Sequence, residues 1–163
     1  MILVAYASKH GSTEGIATAL AKRLQDRGHE GAARPVDQVD DVAGIDALVL
    51  GSAVYAGSWM KDATSFAERH AEAVRGVPVW LFSSGPLGEQ VIDEDEQPRQ
   101  LAELRELLSP RGHEIFFGAL DRSKLSFPER MIVKAVKAPD GDFRDWAAID
   151  AWADRIADEL EAS

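Results

Sequence analysis

Three hydroxyl side chains and a glycine lie close together near the start of the sequence, between an apolar run and a segment with helical spacing. Free N–H groups at the start of a helix attract anions, and hydroxyl groups donate hydrogen bonds to phosphate oxygens. Glycine allows the backbone to approach a ligand closely. The pattern therefore predicts a phosphate-binding loop made of Ser8, Lys9, His10, Gly11, Ser12 and Thr13.

Two alternatives stay open for this first loop. Ser12 or Thr13 could simply cap the helix that follows, with Glu14 in its first turn. His10 could contact the phosphate, or it could point into solvent. Neither the Walker pattern G-x-x-x-x-G-K-[ST] nor the dinucleotide pattern G-x-G-x-x-G occurs in the sequence. The loop therefore predicts a ligand with a single terminal phosphate.

Two later loops contain aromatic and small residues that suit the planar part of such a ligand. Tyr55 and Trp59 could stack on a ring, and the small residues expose backbone amides. A planar heterocycle that carries one phosphate fits this combination, and FMN is the predicted cofactor. The predicted contacts are Ser52, Ala53, Val54, Tyr55, Ala56, Gly57 and Trp59 in the second loop, and Ser83, Ser84, Gly85 and Gly88 in the third.

The strands and helices that position these loops are predicted from apolar runs that alternate with amphipathic segments. The runs lie at 2–6, 47–50, 77–82 and 115–117. Continuous apolar strands between amphipathic helices are typical of a parallel sheet that is covered on both faces. A weaker strand in 30–36 ends near Pro35 and suits the edge of the sheet. We predict one α/β domain over 1–163, a doubly wound five-stranded parallel sheet of order 2-1-3-4-5 with helices on both faces.

The strand order also predicts where a ligand would bind. In open α/β sheets the binding crevice lies outside the carboxyl ends of the strands, at the point where the strand order reverses. For the order 2-1-3-4-5 this point lies between the first and third strands. The three loops follow strands one, three and four, so they are expected to meet at that crevice.

Composition narrows the classes of function. The 163 residues include no cysteine, which excludes disulfides, thiolate nucleophiles, iron–sulfur clusters and Cys-ligated zinc. The histidines are too scattered to suggest a metal site. A formal charge of −10 argues against binding to nucleic acid or to anionic lipid. With no signal peptide and no apolar run of about 20 residues, we expect a cytoplasmic protein with at most peripheral membrane contact.

The three loops resemble those of the flavodoxin family, whose members bind FMN at this switch point. The first loop, 8–13, is similar to the phosphate loop of the family, and 51–57 and 83–85 are similar to its two flavin loops. Within the family, the chain is most similar to the flavodoxin-like, quinone-dependent protoporphyrinogen oxidases. The segments that carry this second resemblance are 57–59, 117–120, 129–134 and 145–153.

The resemblance implies an FMN enzyme that removes hydrogens from a porphyrinogen and passes electrons to a membrane quinone. The alternative is a flavodoxin-type carrier that has no small-molecule substrate and passes electrons to a protein partner. Neither alternative assigns a catalytic residue. Response-regulator receiver domains are disfavoured, since acidic residues are missing at Ala7-Ser8 and Gly51-Ser52, and low-molecular-weight tyrosine phosphatases need a cysteine.

Two surface segments and three tryptophans complete the sequence-based predictions. The acidic run 89–96 could dock a basic redox partner or could be a solvated loop. The apolar and basic segment 127–136 could rest on a membrane or could be a helix that covers the last strand. Trp80 is expected in the core, and Trp146 and Trp152 are expected to cover the sheet.

Overall fold

The computed structural model describes residues 1–8, 11–55, 58–84, 100–116, 119–120, 141–142 and 145–162. The predictions for segments 89–96 and 127–136 lie outside these residues. The strands are β1 (Ile2–Ala7), β2 (Gly31–Pro35), β3 (Ala47–Tyr55), β4 (Ser58–Trp59), β5 (Val79–Ser84), β6 (Gly112–Phe116), β7 (Ala119–Leu120) and β8 (Gly141–Asp142). The helices are α1 (Ser12–Asp26), α2 (Lys61–His70), α3 (Leu101–Leu108) and α4 (Trp146–Glu161).

The main sheet has the order β2-β1-β3-β5-β6, and these five strands are parallel. This confirms the predicted order 2-1-3-4-5, because the short β4 pairs only with the end of β3, in antiparallel orientation. β2 lies at the edge of the sheet, as its polar and proline residues predict. In the described part of the chain, β7 and β8 form a separate antiparallel pair.

The strand boundaries differ from the apolar runs at two places that matter for the site. β3 continues to Tyr55, well past the run 47–50, because its later residues pair with β1, β5 and β4. β6 begins at Gly112, before the run 115–117, and includes the polar residues His113 and Glu114. A strand at the edge of a sheet accepts such polar residues, which is why the apolar run alone located it too late.

Apolar residues pack on both faces of the sheet. α2 and α3 cover one face, with Phe66 and Leu104 against Leu50 of β3. α1 and α4 cover the other face, with residues such as Ile16 and Ile149. This arrangement confirms the prediction of helices on both sides of a parallel sheet.

The tryptophans divide between the core and the surface. Trp80 is buried, as predicted, and Trp152 packs edge-on against the rings of Phe82 and Phe116, with centroids at 6.1 and 5.5 Å. The prediction for Trp146 is wrong, because this side chain is 42% exposed. Trp146 lies in the first turn of α4, where it lines a groove beside Arg23 of α1 instead of covering a strand.

Two guanidinium groups attach α1 to α4 and so help to hold the helix that begins at the first loop. Arg23 donates to both carboxylate oxygens of Asp154 at 3.0 Å. Arg27 donates to Asp154 at 3.3 Å and to Asp158 at 2.6 Å. The hydrogen bonds from Arg23 lower the pKa of Asp154 from its ordinary value, so the carboxylate stays charged near neutral pH.

Candidate functional site

The parallel register brings the carboxyl ends of β1, β3 and β5 side by side. Ala7 of β1 is the partner of Ser52 in β3, and Ser52 is in turn the partner of Ser83 in β5. The loops that follow these strands therefore leave the sheet at the same edge, at the point where the strand order reverses. The candidate site comprises these strand ends, the first turn of α1 and the β3–β4 hairpin.

The first loop is shaped by its own serine and glycine. The backbone N–H of Gly11 donates to Ser8 Oγ at 3.0 Å. Gly11 has a φ of +86°, in the left-handed region that favours glycine. A Cβ atom placed there would meet no described atom within 4 Å, so the glycine serves the backbone conformation and not a tight contact. Lys9 and His10 lie outside the described residues.

The start of α1 shows that the capping alternative is wrong. Gly11 precedes the helix, and no described side chain makes a capping hydrogen bond there. Ser12 and Thr13 lie inside the first turn. Thr13 is completely buried, and among the described residues its Oγ1 has no hydrogen-bond partner. A buried hydroxyl without a partner costs about 1–3 kcal/mol, so the Thr13 hydroxyl is a candidate to bind a ligand, since none of the described residues bonds to it.

These features fit a phosphate group at the start of α1. The helix dipole and the first-turn N–H groups favour an anion, and the Thr13 hydroxyl can donate to a phosphate oxygen. The left-handed Gly11 lets the chain turn from β1 into α1 without a side chain at the bend. The terminal phosphate of FMN is therefore compatible with the described residues of the first loop.

Tyr6 contributes to the same end of α1, although the sequence placed it only in an apolar strand. Its hydroxyl donates to Glu14 Oε1 at 3.3 Å. Burial, and then the charge of Glu14, raises the pKa of Tyr6 to about 12. The phenol therefore keeps its proton at neutral pH and can donate it to the carboxylate of Glu14, the acidic residue in the first turn of α1.

The second loop uses its polar atoms to fix its own backbone. Ser52 Oγ accepts from the N–H of Met60 at 3.0 Å and donates to the carbonyl oxygen of Ala53 at 2.8 Å. The N–H of Trp59 donates to Gln100 Oε1 at 3.1 Å. The hairpin is also closed by pairing of Tyr55 with Ser58. The ends of this loop are therefore held in place from both sides.

Of the other residues predicted in the second loop, Ala53 and Val54 lie in β3, while Ala56 and Gly57 lie outside the described residues. Ala53 is buried and Val54 is partly buried. For Tyr55 the structure describes the backbone, which pairs with β4. Its stacking on a ring stays a prediction.

Trp59 is placed differently from the expectation that it stacks on a ligand. Its side chain is 3% exposed and packs with the apolar cluster between the sheet and helices α2 and α3. The indole Nε1 donates to Ser83 Oγ at 2.8 Å. An indole in this position presents no open ring face, so the structure favours a role in holding the hairpin.

Ser83 and Ser84 end β5 on opposite sides of the sheet, and both are buried. Ser83 Oγ also lies 2.8 Å from Nε2 of His113, in the neighbouring strand β6. Burial, and then the positive charge of Arg105, lowers the pKa of His113 to about 4, so this histidine is neutral at pH 7. Gly85 and Gly88 lie outside the described residues.

Gly51 allows β3 to pack closely at the base of the site. A Cβ atom at this position would lie 2.0 Å from the nearest ring atom of Phe82, which is completely buried. The resemblance already included Gly51 in the second loop without giving this reason. Three other residues, Tyr6, Gln100 and His113, were missed by sequence reasoning. His113 lies before the apolar run 115–117, so neither it nor Gln100 gave a signal in the sequence.

The described residues show neither a metal site nor a membrane-spanning helix. No group of three or more His, Asp or Glu side chains among them is placed to hold a metal ion. No helix in the described ranges is long and apolar enough to cross a bilayer.

Comparison with known proteins agrees with this geometry. Residues 3–146 match the family model for a flavodoxin domain. No curated protein matches the chain by sequence. A flavodoxin from the domain Archaea is 15% identical, with 98% of each chain covered and a TM-score of 0.67. A flavodoxin from Streptococcus pneumoniae is 19% identical, with 99% of this chain and 97% of that chain covered and a TM-score of 0.62.

Larger proteins contain the same fold as one part. Rubredoxin oxygen:oxidoreductase from Desulfovibrio gigas is 15% identical, and the TM-score is 0.66. The match covers 99% of this chain but only 36% of that protein. At these identities the structures support the fold alone, while the family model covers most of the chain. The chain belongs to the flavodoxin domain family, whose cofactor is FMN.

Proposed function

We propose that this protein is an FMN-dependent oxidoreductase resembling the quinone-dependent protoporphyrinogen oxidases. The observation that carries the binding of FMN is the buried Thr13 hydroxyl, which has no partner among the described residues, in the first turn of α1. In this proposal the first loop holds the phosphate, and the loops after β3 and β5 hold the ring. FMN supplies the hydride and electron transfer when bound, while the protein supplies binding, orientation and electrostatics.

The proposed substrate class rests on sequence resemblance. The similar segments include 129–134 and 145–153, and the second of these coincides with the start of α4 at Trp146. By this resemblance, the protein would oxidise a porphyrinogen and reduce a quinone. Contact with a membrane quinone would be peripheral, through segment 127–136.

A second candidate is a carrier that only exchanges electrons with protein partners. Two observations favour it. The two flavodoxins described above match this chain over nearly their whole length, whereas the oxygen reductase matches over about a third of its length. The net charge of −10 would also attract a basic protein partner.

Binding of FMN is tested by its visible absorbance and by titration of the apoprotein with FMN and with riboflavin. Riboflavin has the same ring and no phosphate, so we expect it to bind about 100-fold more weakly or worse. Apoprotein that binds neither molecule would refute the proposed function. Equal affinity for the two would refute the phosphate role of the first loop.

Turnover distinguishes the two candidates. The FMN-loaded protein is mixed with a porphyrinogen and a soluble quinone, and porphyrin fluorescence is followed under anaerobic conditions. Multiple turnovers support the oxidase. Absence of turnover, together with rapid reduction by a flavodoxin reductase and reoxidation by an acceptor protein, supports the carrier.

A further inference from the structure

The end of β5 contains a hydrogen-bonded chain that links three strands. Ser83 Oγ lies 2.8 Å from the indole Nε1 of Trp59 and 2.8 Å from Nε2 of His113. The three side chains come from β4, β5 and β6, and His113 is 30 positions away from Ser83 in the sequence. Ser83 lies near the carboxyl end of β5, and Trp59 pairs with Val54 near the carboxyl end of β3, whereas His113 reaches Ser83 from the second position of β6.

The chemistry of the groups sets the direction of these hydrogen bonds. An indole N–H only donates, so Ser83 Oγ accepts from Trp59. The serine has one hydrogen of its own, and His113 Nε2 is its acceptor among the described residues. His113 can accept only when it is neutral and carries its proton on Nδ1. Its partly buried position, and then the positive charge of Arg105, lowers the pKa of His113 to about 4, so it is neutral at pH 7.

We propose that His113 is a positioning residue that holds the β3–β4 hairpin at the flavin site, acting through Ser83 and Trp59. The inference rests on the proposed function, because it assigns this hairpin to the FMN ring. His113 orients the Ser83 hydroxyl, and the oriented hydroxyl fixes the indole of Trp59. The same residue, Trp59, also pairs with Val54 and donates its backbone N–H to Gln100.

The direction of these hydrogen bonds explains why His113 is needed. Without an acceptor at His113, the buried Ser83 hydroxyl would lose the partner for its hydrogen, and its best remaining acceptor would be the backbone. If the Ser83 hydroxyl turned toward the backbone, its oxygen would no longer direct a lone pair at the indole N–H of Trp59. The hairpin would then keep the contacts of Gln100 and Ser52 but lose its link to the sheet interior.

The first test needs no variant and no cofactor. Heteronuclear NMR of the apoprotein reports which ring nitrogen of His113 carries the proton and how fast the Trp59 indole hydrogen exchanges with solvent. We expect the Nδ1–H form, and indole exchange slowed by about 100-fold or more relative to a free indole. The Nε2–H form, or unprotected indole exchange, would overturn the proposal.

The second test uses a matched pair of partly buried histidines. His70 in α2 has a buried Nε2 with no hydrogen-bond partner among the described residues. His70→Leu therefore removes a histidine without changing the hydrogen bonds of Ser83. We expect His113→Leu to speed indole exchange by about tenfold, and His113→Gln, whose amide oxygen can accept, to restore protection. Equal exchange in His113→Leu and His70→Leu would overturn the proposal.

The third test asks whether the hydrogen bonds from His113 to Ser83 and Trp59 affect flavin binding. We expect His113→Leu to weaken FMN binding by about fivefold or more and to change the visible circular dichroism of the bound flavin, while His70→Leu changes neither. If the wild type binds FMN but both variants leave affinity and spectrum unchanged, the positioning role fails and the proposed function stands. If the wild-type apoprotein shows the hydrogen-bonded chain but binds no FMN, the proposed function fails, and the flavin part of this inference fails with it.

Discussion

The first loop and the ends of β3 and β5 all contain buried side chains with a hydroxyl group, but the hydroxyls differ in whether they have a hydrogen-bond partner. Thr13 at the start of α1 has a buried hydroxyl that finds no partner among the described residues. Ser52 and Ser83 have hydroxyls that are also buried, and each makes two hydrogen bonds within the protein. The hydroxyls of Ser52 and Ser83 stabilise the scaffold, whereas the Thr13 hydroxyl has no such role among the described residues, and the proposed function assigns it to the phosphate.

Because of this difference, the two regions contribute differently to the stability of the apoprotein and to ligand binding. A buried polar group without a partner destabilises the apoprotein, and a ligand that supplies the partner recovers that loss on binding. A buried polar group that is already satisfied stabilises the fold whether or not a ligand is present. Substitutions at Thr13 should therefore change binding, and substitutions at Ser83 should first change stability.

The largest effect is expected for Ser83→Ala. This change leaves the indole N–H of Trp59 and Nε2 of His113 without a partner, at about 1–3 kcal/mol for each buried group. We expect the free energy of unfolding of the apoprotein to fall by about 2–4 kcal/mol, measured by urea denaturation. Ser58→Ala in the partly exposed β4 serves as the control and should change stability by less than about 0.5 kcal/mol. Equal losses in the two variants would contradict the distinction.

The opposite pattern is expected for Thr13→Val, which keeps the shape of the side chain and removes its hydroxyl. Hydrogen bonds to charged groups contribute about 1.5–3 kcal/mol, so we expect the Kd for FMN to rise about 10- to 100-fold. Apoprotein stability should stay the same or rise, because a buried hydroxyl without a partner is removed.

Thr64→Val is the matched control for Thr13. Thr64 also lies in the first half of a helix, α2, and its hydroxyl donates to the carbonyl oxygen of Lys61 at 3.0 Å. FMN affinity should be unchanged in this variant. An unchanged Kd in Thr13→Val as well would show that the buried hydroxyl at α1 is not the phosphate ligand.

A pH-dependent effect is expected from His113. The unfolded chain takes up this proton near the ordinary pKa of 6.5, but the folded chain does so only near about 4, because of burial and of Arg105 in α3. Between these values the unfolded state binds more protons, so stability falls as the pH falls, and the loss is complete below about 4. From pH 7 to pH 5 the contribution is about 1–2 kcal/mol.

The variant His113→Gln isolates this contribution from that of the carboxylates. Urea denaturation of the wild type and of His113→Gln at pH 7 and pH 5 gives two changes in stability. We expect the change to be smaller in the variant, by about 1–2 kcal/mol. Identical pH dependence in the two proteins would show that His113 is not buried as a neutral group.

Much of the sheet could be predicted because strands that are buried on both faces have continuous runs of apolar residues in the sequence. Apolar runs separated by helical spacing indicated the parallel strands, and Pro35 indicated the edge. The use of each hydroxyl could not be predicted, since it depends on which groups surround Thr13 and Ser83 after folding. The link from Ser83 to His113 depends on the register of β5 and β6, which no local pattern specifies.

Trp146 shows a second limit of the same reasoning. It continues the apolar spacing of α4 toward Ile149 and Trp152, so periodicity alone placed it on the sheet. In the structure the first turn of α4 lies beside α1, and the indole lines the groove there. Periodicity predicts the face of a helix on which a residue lies, but not which neighbour that part of the helix meets.

The smallest effect is expected for Gly11→Ala, and it separates the shape of the first loop from its chemistry. Gly11 and Gly28 both have positive φ angles, of +86° and +89°, and a Cβ at either position would meet no described atom within 4 Å. Each alanine variant should therefore lose about 1 kcal/mol of stability from backbone strain alone. Only Gly11 precedes α1 at the proposed phosphate site, so only Gly11→Ala should also weaken FMN binding, measured by titration of the apoprotein. Equal FMN affinity in the two variants would mean that the left-handed turn at Gly11 serves folding and not the ligand, and the hydroxyl of Thr13 would then carry the phosphate interaction without help from that turn.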